Sequence, residues 1–160
     1  MWIHIPAGFE TVMNMASVNW GYESEPETYL DGRVIDTPRG KVLGGSSSIN
    51  GMMFVRGNPL DYENWVEMGA IGWSYREVLP YFKRSETFAG GGDDYRGGDG
   101  PLLTRQGSLD NPLYHTFFEA AGEAGYLTTP DHNGFQQEGF GPTRHLRCDP
   151  APGGHEGLGQ

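Results

Sequence analysis

The chain has 160 residues, 36% hydrophobic and 12% aromatic, which is enough for one domain with a real core. Its 26 glycines and 11 prolines indicate a loop-rich protein or part of one, and a net charge of −10 argues against nucleic-acid or anionic-membrane partners, which would repel it. One cysteine, Cys148, excludes an intrachain disulfide and a cysteine-rich zinc site, and leans toward a reducing compartment.

The opening MWIHIPAGFE has neither a basic start nor a sustained apolar core, and the expectation is that it does not act as a signal peptide. No apolar run approaches the ~18 residues of a membrane span, and the expectation is a soluble, cytoplasmic chain. Trp2, Ile3, Ile5 and Phe9 crowd a region that is usually polar, so the chain reads as the interior of something longer. Next, TYLDGRVID sets Asp31-Gly32 between β-prone runs and predicts a hairpin over 28–36.

Three helices follow. In NPLDYENWVEMG, Asn58 caps, Pro59 takes the first helical position, Tyr62, Trp65 and Val66 share a face, and Gly69 stops the helix. WSYREVLPYFKRSE opens on a Ser74/Glu77 capping box and stacks Val78, Leu79 and Phe82, with Pro80 predicting a kink or a two-part helix. NPLYHTFFEAAGEAGY repeats the start at Asn111 and Pro112, places Leu113, Phe117, Ala121 and Ala124 at helical spacing, and ends at Gly125. Between the last two, FAGGGDDYRGGDG reads as a flexible acidic loop and PLLTRQG as a short strand. From Thr143 onward RHLRCDPAPGGHEGLGQ lacks any period and is expected to be disordered.

The stretch KVLGGSSSINGMMFVRG carries the densest chemistry. It is no Walker loop, because Gly40-Lys41 is followed by Val42, and no nucleophile elbow, because Gly44 to Ile49 does not spell Gly-x-Ser-x-Gly. Neither Gly98-Asp-Gly100 nor Gly139-Phe-Gly141 has the third glycine of a dinucleotide fingerprint. Bare glycine backbone, serine hydroxyls and Asn50 suit either a ligand contact or an ordinary capped loop, and composition does not choose. The histidines His4, His115, His132, His145 and His155 show no metal-binding spacing, and Asp93, Asp94 and Asp99 lack the EF-hand pattern; neither a metal site nor a catalytic residue is expected.

WIHIPAGF, PRGKVLGGSSSINGMMFVRGNPLDYENW, YFKRSE, DYRGGDGPL and FQQEGFGP occur in an order that resembles the glucose-methanol-choline family of flavin oxidoreductases, its choline-dehydrogenase-like members in particular. The resemblance spans Trp2 to about Pro142. It implies an α+β fold: a partial FAD-binding domain over 1–142 that lacks the Rossmann-type strand-turn-helix start, followed by a non-family tail over 143–160. It also implies that Val42, Gly44, Gly45, Ser46, Asn50, Gly51, Met52 and Met53 line FAD. Some family oxidases link the flavin to a histidine at the position of Ile49, so FAD is expected to be noncovalent here. The family activity would be hydride transfer from a small primary alcohol to the flavin. The family's glycine-rich fingerprint and its distal catalytic histidine match nothing in this sequence, so the alternative is a non-enzymatic remnant.

Overall fold

The computed structural model describes residues 2–146, which form two compact units, 2–52 and 53–146. In the first, single 3₁₀ turns at Trp2–His4 and Pro6–Gly8 lead into α1 (Phe9–Met13). Val12 of α1 buries against Val18 and Ile49, with Ile3, Met15 and Val42 packed around them. An antiparallel ribbon rises from this small core. Its rungs are Asn19 with Gly40, β1 (Tyr22–Glu23) with β2 (Asp36–Thr37), and Glu27 with Arg33.

The ribbon corrects the expected hairpin over 28–36. Asp31 and Gly32 do take positive φ, at 55° and 73°, but they do not form a two-residue turn alone. A 3₁₀ turn at Thr28–Leu30 precedes them, and the amides of Leu30 and Gly32 both donate to the Glu27 carbonyl at 3.0 Å. Those bonds close the loop at Glu27 and Arg33 and move the strands outward to β1 and β2.

The second unit contains α2 (Pro59–Glu67), α3 (Tyr75–Ser85), β3 (Glu86–Phe88), β4 (Leu102–Gln106), α4 (Pro112–Glu123) and β5 (Arg144–Leu146). β4 is the central strand, parallel to β3 through Thr87 with Leu103 and antiparallel to β5 through Arg105 with His145. The caps follow the sequence. Asn58 Oδ1 accepts the Leu60 amide at 2.9 Å, while Asp61 accepts the Asn58 amide at 3.2 Å. Glu77 accepts both the amide and the hydroxyl of Ser74, at 3.1 and 2.7 Å, and these bonds hold its carboxyl below the usual range. This contribution to the cap is present above the ordinary glutamate pKa and is lost as pH falls through the lowered one.

Pro80 does not divide α3, which runs unbroken from Tyr75 to Ser85. The carbonyl left without an intrahelical donor is that of Arg76, an exposed residue at which water can take the donor's place. In α4 the apolar stripe is mostly uncovered: Ala121 is buried, but Leu113 is 73% and Phe117 55% exposed. The expected disorder from Thr143 is also corrected, because Arg144–Leu146 pair with β4 as a strand. The strand was invisible to periodicity because its buried residue is an arginine. The remainder of the predicted tail lies outside the described residues. Among the described residues no helix is long and apolar enough to cross a membrane.

Asn111 Oδ1 accepts the Leu113 amide at 3.0 Å, and Asn111→Ala is expected to destabilise α4 by about 1 kcal/mol. Faster amide exchange over the first turn of α4, with the rest of the chain unchanged, is the readout.

Candidate functional site

The return strand of the ribbon delivers the glycine-serine stretch. Gly40 must be glycine, since a Cβ there would lie 2.1 Å from the Gly45 carbonyl oxygen. This close approach lets the Gly40 amide donate to Ser46 Oγ at 3.1 Å. Val42 and Ile49 bind the two ends of the loop into the Val12/Val18 core, and a 3₁₀ turn, Gly45–Ser48, lies between them. Ser47 and Ser48 spend their hydroxyl protons on the Gly44 and Leu43 carbonyls, at 2.7 and 2.9 Å. Ser46, whose oxygen accepts from Gly40, spends its own proton on no acceptor among the described residues.

Gly44 and Gly45 sit at φ 88° and 59°, where other residues are strained, and a Cβ on Gly45 would meet nothing within 4 Å. Bare backbone therefore borders open space at Gly45, whereas a Cβ on Gly44 would lie 2.7 Å from Ser48 Oγ. Beyond Ile49, Asn50 Oδ1 accepts the Met52 amide at 2.9 Å, which supports Met52 at φ 59°. A non-glycine residue in this region costs about 1 kcal/mol, and such strain is concentrated at functional sites. The structure gathers Val42, Gly44, Gly45, Ser46, Asn50, Gly51 and Met52 in the first unit, whereas Met53 opens the second. Met53 bridges to His145 and leaves its side chain half exposed, at 51%.

The sequence reading missed a buried ionic cluster in the second unit. Glu86, fully buried at the start of β3, accepts Arg56 Nη2 at 2.8 Å and is also bonded by Arg96 Nη2 and the Thr104 hydroxyl. Asp131 receives Arg144 Nε at 3.2 Å and faces Arg96 Nη1 at 3.6 Å. Three guanidiniums thus share two carboxylates. Burial pulls the Arg96 guanidinium below its ordinary pKa, opposed by Glu86 and then Asp131. The Nε atoms of Arg56 and Arg96 have no acceptor among the described residues; instead aromatic faces lie alongside, with Phe88 4.5 Å from the Arg96 guanidinium and Phe82 5.2 Å from that of Arg56.

The supposed flexible acidic loop is what brings Arg96 inward. Asp93 Oδ1 accepts the amides of Tyr95 and Arg96, both at 2.7 Å. A Cβ on Gly97 would lie 1.9 Å from the Lys83 carbonyl, and one on Gly100 would lie 2.3 Å from the Glu86 nitrogen. These glycines are contact residues that bring the loop flush against the end of α3. The available sequence signal was Arg96 followed directly by the glycines of RGGDG, with one isolated glutamate, Glu86, upstream.

Among known proteins, the chain is 56% identical over 140 residues to an oxygen-dependent choline dehydrogenase of Brucella anthropi, matching 88% of this chain and 26% of that protein. It therefore spans about a quarter of the length of the curated relatives it matches. Its fold superposes on pyridoxine 4-oxidase from Mesorbium loti with a TM-score of 0.78 at 32% identity, covering 89% of this chain and 28% of that one. It also superposes on an FAD-dependent oxidoreductase from Chaetomium thermophilum with a TM-score of 0.58 at 34% identity, covering 68% and 21%. The sequence model of the GMC oxidoreductase family matches residues 9–150, and the chain belongs to that family.

Proposed function

We propose that this chain is the flavin-cradling part of an FAD-dependent oxidoreductase that oxidises small primary alcohols of the choline type. The observation that carries this reading is the positive-φ glycine pair Gly44-Gly45, of which Gly45 borders open space, inside a chain of this family. The loop suits a flat, partly anionic ligand: backbone can approach without side chains, the Ser46 hydroxyl can donate to an oxygen, Asn50 is exposed, and Val42, Met52 and Met53 supply apolar surface. FAD, when bound, supplies the acceptor for the hydride of the alcohol carbon.

In this reading the chain's own residues bind and orient. Val42, Gly44, Gly45, Ser46 and the run 50–53 would hold the cofactor, and their backbone and apolar atoms would keep water from its face. Ile49 carries no nucleophilic atom and is 3% exposed in the core, which supports a noncovalent cofactor. None of the residues named here is assigned the alcohol's proton. A lone thiol, Cys148, suits a cytoplasmic setting.

The test is a chimaera in which residues 9–142 replace the matching quarter of the Brucella anthropi relative. It is expected to hold flavin and to reduce it with choline. Gly45→Val in the chimaera puts a branched side chain both into the cofactor's space and at φ 59°, a strain of roughly 1–3 kcal/mol, and is expected to abolish flavin binding. Gly45→Ala keeps most of the strain with less bulk and separates the two effects. A folded Gly45→Val chimaera with parental flavin absorbance removes this loop from the site.

A further inference from the structure

The backbone that carries Met53 is fixed by side chains far away in sequence. Asn133, fully buried, grips the segment at two points: Oδ1 accepts the Arg56 amide at 2.8 Å and Nδ2 donates to the Phe54 carbonyl at 2.9 Å. The amide of Asn133 in turn donates to Asp131 Oδ1 at 2.9 Å, so this clamp is tied to the carboxylate shared by Arg96 and Arg144. On the other side the Phe54 amide donates to the Arg144 carbonyl at 3.0 Å, and the Arg56 side chain ends on Glu86. A segment of four residues is thus held by backbone bonds at its middle and by a buried ion pair at its end. Met53 leaves this pinned backbone with its thioether chain half exposed.

Such an arrangement is more than is needed to join a loop to a helix. An exposed apolar side chain on an immobile backbone is how a protein presents a surface of fixed position to a planar ligand, because the ordering cost is met before the ligand arrives. We propose that Asn133, backed by the Glu86/Asp131 charge cluster, is a positioning residue that fixes Met53 against the flavin. The proposal rests on the reading of Met53 as flavin-lining.

Four variants of the chimaera test it: Met53→Ala, Asn133→Ala, Asn133→Asp and the double variant Met53→Ala/Asn133→Ala. Asn133→Ala is expected to shift the visible circular dichroism of the flavin and to lower kcat roughly tenfold at unchanged KM, as for a small misplacement of a reacting group. Asn133→Asp keeps the acceptor for the Arg56 amide but loses the donor to the Phe54 carbonyl, and is expected to shift the flavin spectrum and kcat in the same direction by a smaller amount, a comparison with the parent that stands even where the alanine variant is unfolded. In the Met53→Ala background, Asn133→Ala is expected to add less than about a twofold loss, because the two residues act through one contact. Full additivity, or parental spectrum and kcat in Asn133→Ala, overturns the positioning role and leaves the flavin reading standing. Parental spectrum and kinetics in Met53→Ala remove Met53 from the flavin, and the proposal fails with that placement.

Discussion

Glu86→Ala is expected to abolish the cooperative folding of the 53–146 unit. The substitution leaves Arg56, Arg96 and the Thr104 hydroxyl facing an empty site, with Arg56 6% and Arg96 0% exposed. Breaking a buried pair by removing one partner costs about 3–5 kcal/mol, chiefly because the remaining charge is stranded away from water. A whole domain is stable by only about 5–15 kcal/mol. In this unit the buried hydrophobic residues among those described are only Val78 and Ala121, so apolar burial holds little in reserve. Glu86→Gln retains an acceptor and a similar shape, and is expected to cost less. Urea unfolding followed by the fluorescence of Trp65 and Trp73 separates the cases. A midpoint for Glu86→Ala equal to the parent's would show that water reaches the cluster and that the ion pairs contribute little.

The second large expected effect is negative. Residues 1–160 purified alone are expected to bind FAD far more weakly than the chimaera and to oxidise no alcohol. The chain matches 26% of the Brucella anthropi relative, and its surface shows what is uncovered: Leu43 is 87%, Ile71 88% and Phe135 86% exposed. Large apolar side chains exposed in this number are expected to drive association rather than ligand binding. Fluorescence quenching on titration with FAD, and an assay of choline with an artificial electron acceptor, give the result. Stoichiometric micromolar binding, or turnover above that of free flavin, would show that the 160 residues are a competent unit and that the chimaera is unnecessary.

Local chemistry was legible in the sequence wherever the responsible atoms are neighbours along the chain. Asn58-Pro59 and Asn111-Pro112 started their helices, Ser74 and Glu77 closed their capping box, and Gly69 and Gly125 took the positive φ that ends a helix, because each of these devices is complete within a few residues. Asp31-Gly32 likewise took its positive φ angles, and the glycine-serine stretch carried enough pattern to resemble the family to which the chain belongs.

What the tertiary structure alone decided was every feature that joins distant residues. Nothing local distinguishes Glu86, which is buried because Arg56, Arg96 and Thr104 arrive from three other parts of the chain, and RGGDG reads as flexible loop until its glycines meet the end of α3. Arg144 gave no strand signal, because hydrophobic periodicity assumes that buried residues are apolar, and here the buried face of β5 is a charge compensated by Asp131. The apolar stripe of α4 showed the converse: helical spacing fixed which residues share a face, but whether that face is covered depends on neighbours that no local pattern specifies.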